Sequence, residues 1–143
     1  ATKSHEDAAL EFSKNILLFS SDEQRLVEII RQVRKAMLTD RQREAGAVDP
    51  NQVCRSHAEI LAIDLYEAFD LSPVRVAGSV EGGILLAYKR DDGLRLEIEV
   101  DNDGDIVGAI STTSVVIRSE IIDLPAKLSK LVRDFKLSRT LAV

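Results

Sequence analysis

Apolar positions recur at two different periods in this chain, and the change of period divides it. Ala8, Phe12, Ile16 and Phe19 follow helical spacing after Ser4, whose hydroxyl can cap a helix, with Asp7 favouring its start. "SSDEQ" predicts a second helix, with Ser21 as N-cap and Gln24 closing a capping box. Leu26, Ile29, Ile30, Val33 and Met37 form its stripe. The stripe fades after Leu38, and "TDRQREAGAVDP" reads either as an exposed continuation or as a break near Thr39. In "DPNQ", Asp49 is the expected N-cap and Pro50 suits the first helical position. Val53, His57, Ile60, Leu61, Leu65 and Phe69 then give a broad face, and Ser72-Pro73 ends the helix.

Beyond Pro73 the period falls to two. Val74 and Val76 alternate, as do Ile84 and Leu86, with "VEGG" as the turn between them. Asp92-Gly93 lies between two alternating runs, which signals a hairpin. Leu94, Leu96, Ile98 and Val100 share one face of the next strand; Arg95, Glu97, Glu99 and Asp101 share the other. Such alternation means one buried and one wet face, as in an antiparallel sheet backed by helices. "IVGAIST" reads as a fourth strand, while "SVVIRSEII" at 114–122 suits either a strand or a short helix. A closing helix is expected from Asp123 as cap and Pro125 in the first turn, with Leu128, Leu131, Val132 and Phe135 as its stripe. The pattern predicts one α+β domain over residues 1–143: a helical half (1–72), a three- or four-stranded antiparallel meander (73–112), and a closing segment and helix (113–143).

Composition narrows the function classes. A chain of 143 residues with 45% hydrophobic content suffices for one core. The net charge of −5 disfavours nucleic acid as the default partner, and aromatic residues for base stacking are scarce at 4%. The single Cys54 permits no internal disulfide and suits a reducing, cytoplasmic setting. No apolar run approaches the roughly 18 residues of a membrane span, and "ATKSHEDAALEF" lacks the basic-then-apolar order of a secretion signal.

"DNDGD" at 101–105 raises the question of calcium. Asp101, Asp103 and Asp105 match the first, third and fifth ligand positions of a helix–loop–helix site. The sixth position is Ile106 instead of glycine, and the twelfth is Thr112 instead of glutamate. Asn102 and Gly104 instead suit a hairpin turn. Cys54 and His57, three apart on one helix and near Glu59, could form a thiolate–imidazole pair or part of a metal site. They lack an orienting group and a full ligand set, and a small core residue with a boundary histidine is the simpler reading. His5, Glu6 and Asp7 read as a terminal capping cluster, and Gly82-Gly83 as a hairpin or bulge without a phosphate-loop signature. No cofactor or catalytic residue is expected from these patterns.

Charge patterning points to protein partners. Glu97, Glu99 and Asp101, with Asp103 beyond them, form an acidic strand face suited to a basic partner. The helix after Asp22 carries Arg25, Arg31, Arg34, Lys35, Arg41 and Arg43 among acidic residues, of which Arg31, Arg34 and Lys35 are candidate contacts. Lys127, Lys130, Arg133, Lys136 and Arg139 make the last helix basic, which leaves nucleic-acid binding as an alternative, although cations also suit a helix C-terminus. A second alternative is a small-ligand protein or enzyme with a pocket between helices and sheet, using His57, Tyr88 or Glu97. Self-association through the Asp22–Leu38 helix is a further expectation.

Gly82, Gly83, Ile84, Tyr88, Glu97, Ile98, Glu99, Asp103 and Gly104 together make a pattern that resembles small bacterial accessory proteins of the antitoxin or immunity kind. The resemblance covers about thirty residues of hairpin grammar that many folds share, and Tyr88 stands where that pattern usually has tryptophan. It implies a meander and a non-enzymatic, protein-binding role in the bacterial cytoplasm, and it carries over no catalytic residue.

Overall fold

The computed structural model describes residues 20–138. The helix expected after Ser4, the His5–Glu6–Asp7 cluster and Arg139 lie outside these residues. In chain order the elements are α1 (Ser21–Lys35), α2 (Asp40–Glu44), α3 (Gln52–Phe69), β1 (Arg75–Ser79), β2 (Gly83–Lys89), β3 (Arg95–Asp101), β4 (Ile106–Ser111), β5 (Val116–Ile121) and α4 (Pro125–Leu137). The fold is α+β, with one antiparallel sheet in the order β1-β2-β3-β4-β5. It therefore has five strands where three or four were expected. The additional strand is the β-branched segment 116–121, which pairs with β4 through an irregular register at Ile110/Ser111. Its polar Arg118, Ser119 and Glu120 had blurred the alternation.

Local side-chain chemistry sets the helix boundaries. Ser20, one residue before the expected cap, accepts the Glu23 N–H at 3.1 Å, and Asp22 and Glu23 occupy the positive first turn. α1 ends at Lys35, so Met37 is exposed and Leu38 takes the buried place instead. Thr39 then starts α2 with a reciprocal capping box to Gln42. α3 is capped by Asn51, which accepts the Cys54 N–H at 2.8 Å. Asp49 is not its cap: its two oxygens accept the Leu38 N–H (2.9 Å) and the Arg43 guanidinium (2.8 Å). Asp123 likewise does not cap α4; it pairs with Lys127 at 2.6 Å, and Pro125 begins the helix.

The core lies between the sheet and the three longer helices. Ile84, Leu86 and Tyr88 of β2, Leu96, Ile98 and Val100 of β3, and Ile110 of β4 face inward. Ile29 and Val33 of α1 and Leu131, Val132 and Phe135 of α4 complete this layer. On α3, Leu61 and Leu65 are buried as expected and Phe69 packs against the core, but Cys54, Ala58 and Ala62 complete the buried face, while Val53, His57 and Ile60 are exposed. Small residues at 54, 58 and 62 let the helix backbone approach closely, and the larger side chains fall to its flanks. Close approach also explains Gly78: a Cβ there would lie 2.8 Å from the carbonyl carbon of Met37, where the chain after α1 crosses β1. Each large aliphatic side chain sealed in this layer contributes on the order of 1.5–3 kcal/mol by leaving water.

Candidate functional site

The strand pairing places the acidic residues of β3 at the middle of the sheet face opposite the helices. Across the register, Arg75, Ala87, Glu97, Ala109 and Ser119 form one row. Ala77, Leu85, Glu99, Val107 and Ile121 form the next. Among the described residues no helix packs on this face. Glu97 and Glu99 are nevertheless half-buried, because they stand among one another and their strand neighbours. The alanines beside Glu97 are short, so its carboxylate rises from an apolar floor. At one end of the face Arg75, Lys89 and Arg95 are exposed, so charge along β3 runs from Arg95 through Glu97 and Glu99 to Asp101. A notch of about 220 Å³ opens between this cationic end and Glu97, with Leu85 and Ala87 in its lining.

The three acidic residues differ in their commitments. The Ser79 hydroxyl donates a hydrogen bond to Glu99, reaching across β2. One Asp101 oxygen accepts the N–H groups of Asp103 and Asp105, each at 2.9 Å. The "DNDGD" segment is thus the β3–β4 turn, with Gly104 at φ +90°. It also docks on α3. Asn102 Oδ1 accepts the Asn51 N–H at 2.9 Å, and the Asn51 side-chain amide donates to the Asn102 carbonyl at 2.9 Å. Among the described residues Glu97 accepts no bond of this kind, and it stands beside the notch.

The basic candidates are elsewhere. Arg31 makes a two-pronged bond to Glu28 on its own helix (2.9 and 2.7 Å). Arg34 bonds Glu59 of α3 (3.3 and 3.1 Å), and Lys35 is exposed in the last turn of α1. These three lie in the helical layer, so the structure does not join them with Glu97, Glu99 and Asp101 into one surface. Arg55 closes the C-terminus of α1 by donating to the carbonyls of Val33 (3.1 Å) and Arg34 (2.9 Å).

The residues named for a ligand pocket are dispersed. Tyr88 is in the core at 1% exposure, and its hydroxyl has no hydrogen-bond partner among the described residues. Burial pushes its ionisation far above the ordinary range. Glu97 is on the opposite face of the sheet, and His57 is exposed on α3 near Gly104. Cys54 is fully buried and its thiol donates to the Val100 carbonyl at 3.0 Å; burial raises its pKa, the reverse of what a nucleophilic thiolate requires. It points into the core while His57 points to solvent. On α4, Lys127 pairs with Asp123 and Lys136 donates to the Phe69 carbonyl, whereas Lys130 and Arg133 are exposed.

Sequence reasoning missed the floor around the glutamates. The signal was present in "GILLAYK", where Leu85 and Ala87 alternate with Ile84, Leu86 and Tyr88, so both faces of β2 are apolar. No helix of the described residues is long and apolar enough to cross a membrane. Comparison with protein-family models, curated proteins and solved structures finds no match to this chain.

Proposed function

We propose that this is a non-enzymatic, protein-binding accessory protein of the antitoxin, immunity or chaperone kind, and that it meets a basic surface of its partner on the open sheet face. The observation that carries this reading is the placement of Glu97 and Glu99 side by side at the centre of that face, among Ala87, Ala109, Leu85 and Val107. An arginine from a partner can lay its aliphatic stem on the alanines and present its guanidinium to the carboxylates. Closing the interface expels water and strengthens that attraction. The cations Arg75, Lys89 and Arg95 at one end orient the approach, since a partner with its own acidic residue there fits in one direction only. The dispersal of His57, Tyr88 and Glu97 supports a binding role over catalysis, and the buried single thiol of Cys54 suits a reducing bacterial cytoplasm.

The test is affinity capture from lysate of the source organism with the native chain and with Glu97→Lys/Glu99→Lys. The reading predicts a specific protein, with a basic contact surface, retained by the native chain and lost with the variant. Equal recovery on both, or no specific protein on either, contradicts it.

A further inference from the structure

Strand β5 ends the sheet on one side, and among the described residues nothing pairs with its outer edge. Val116 (63%), Ile117 (46%) and Ile121 (66%) are strongly exposed there. Exposed edges are ordinarily guarded by outward charge, proline or a bulge. Here the irregularity lies at the start of the strand, and the charges of Arg118 and Glu120 turn to the helical side. Arg118 pairs there with Asp134 of α4 and, at 3.1 Å, with Glu120.

The ladder fixes which backbone groups are free. The Ile122 N–H donates to the Ile106 carbonyl at 2.8 Å. Hydrogen-bonding direction alternates along an antiparallel strand, so Arg118 and Glu120 also turn their backbone groups toward β4. Ser119 and Ile121 turn theirs outward. A strand added at this edge must bond to Ser119 and Ile121.

We propose that the added strand is β5 of a second copy of this chain, antiparallel, with Ser119 opposite Ser119 of the second copy. This register sets Arg118 against Glu120 of the second copy and Glu120 against its Arg118. Ile117, the extra residue at the irregularity, lies on the helical side with Arg118, so the charged pairs carry the match. The charged pairs fall at the non-hydrogen-bonded positions, where facing side chains come closest and opposite charges stabilise. Centring the pairing on Ile117 or Ile121 instead sets Glu120 against Ser114 or Ile122, and the charge match is gone. The contact is self-complementary and closes after two copies. Its two-fold axis is normal to the sheet, so the five strands of each copy join into one sheet with both helical layers on the same side. A groove of about 380 Å³ between β5 and the end of α4, lined by Ile117, Arg118, Asp134 and Leu137 among others, leaves room beside the axis. Self-association is thereby placed on β5, away from α1 and independent of what the open face binds.

Sedimentation equilibrium of the full chain from micromolar to millimolar concentration tests this. The native chain is expected to reach twice its 15.8 kDa, whereas Ser119→Pro and Ile121→Lys remain monomeric with native circular dichroism. Proline is tolerated where an edge N–H faces solvent, and the Ile121 side chain lies on the open face. As a register test that needs no loss of folding, Ser119→Cys under mild oxidation is expected to form a disulfide-linked dimer, while Val116→Cys does not. A native chain that stays monomeric overturns the proposal. So does a dimer that survives both substitutions, or failure of Ser119→Cys to cross-link.

Discussion

Ser79 on β1 donates its hydroxyl hydrogen bond to Glu99 on β3, across the strand between them. The bond ties the edge of the sheet to its central carboxylate, and it separates the two glutamates by role. Glu99 is held in place, while Glu97 remains turned to solvent. Ser79→Ala should lower the free energy of unfolding by about 1 kcal/mol, the net worth of a partly exposed hydrogen bond, as read from urea denaturation. An unchanged midpoint would mean that Glu99 holds its position without the serine.

The clamp between the β3–β4 turn and the start of α3 makes a stronger demand. Asn102 accepts from the Asn51 N–H at 2.9 Å and donates to the Asp49 carbonyl at 3.2 Å. Asn102→Ala removes both bonds and leaves the other groups partly sheltered. A loss of about 1–2 kcal/mol is expected, with faster amide exchange at Asn51 as its local signature.

The Tyr88 hydroxyl is the opposite case, a buried donor with nothing to bond among the described residues. Tyr88→Phe keeps the ring in the core and deletes the orphan. Its unfolding free energy should equal the native value or exceed it by up to about 1 kcal/mol, because the desolvation cost disappears. A loss of stability would show that the hydroxyl has a partner after all.

Acid sensitivity has an identifiable contributor. The Arg43 guanidinium, helped by the Leu38 N–H, holds the Asp49 carboxyl below the usual carboxylate range. A carboxylate with a depressed folded pKa stabilises the fold above its unfolded value, and that contribution is lost as pH falls through the folded one. Native stability should therefore decline below about pH 4, and Asp49→Asn should decline less steeply there while being less stable at pH 7. Urea midpoints at pH 7 and pH 3 for the two proteins check this; parallel declines would remove Asp49 from the account.

The sheet was legible in the sequence where one face is apolar and the other charged, as at Leu94–Asp101. It was least legible at β5, where Arg118 and Glu120 sit on the helical side and Ile121 on the open one, inverting the usual alternation. Helix starts shifted by one or two residues wherever two capping side chains were adjacent, as with Ser20 beside Ser21 and Asn51 near Asp49. At Asp49 the choice is made by partners outside the helix, the Arg43 guanidinium and the Leu38 N–H, which occupy both of its oxygens. On α3 the large Leu61 and Leu65 were legible as core, but Ala58 and Ala62 were not, because small side chains reach the sheet through close approach of the backbone and leave no apolar bulk in the pattern, whereas Val53 and Ile60 fall to the exposed flank. The acidic face was legible from alternation alone, but its apolar floor comes from β2 and β4 and emerges only once strand register is known.

Binding of a basic partner by Glu97 and Glu99 is measured by titrating the captured partner into the native chain and into Glu97→Gln/Glu99→Gln at increasing ionic strength. The double variant is expected to bind at least tenfold more weakly, equivalent to about 1.4 kcal/mol, with a shallower dependence on salt. Equal affinities with the same salt dependence would contradict it.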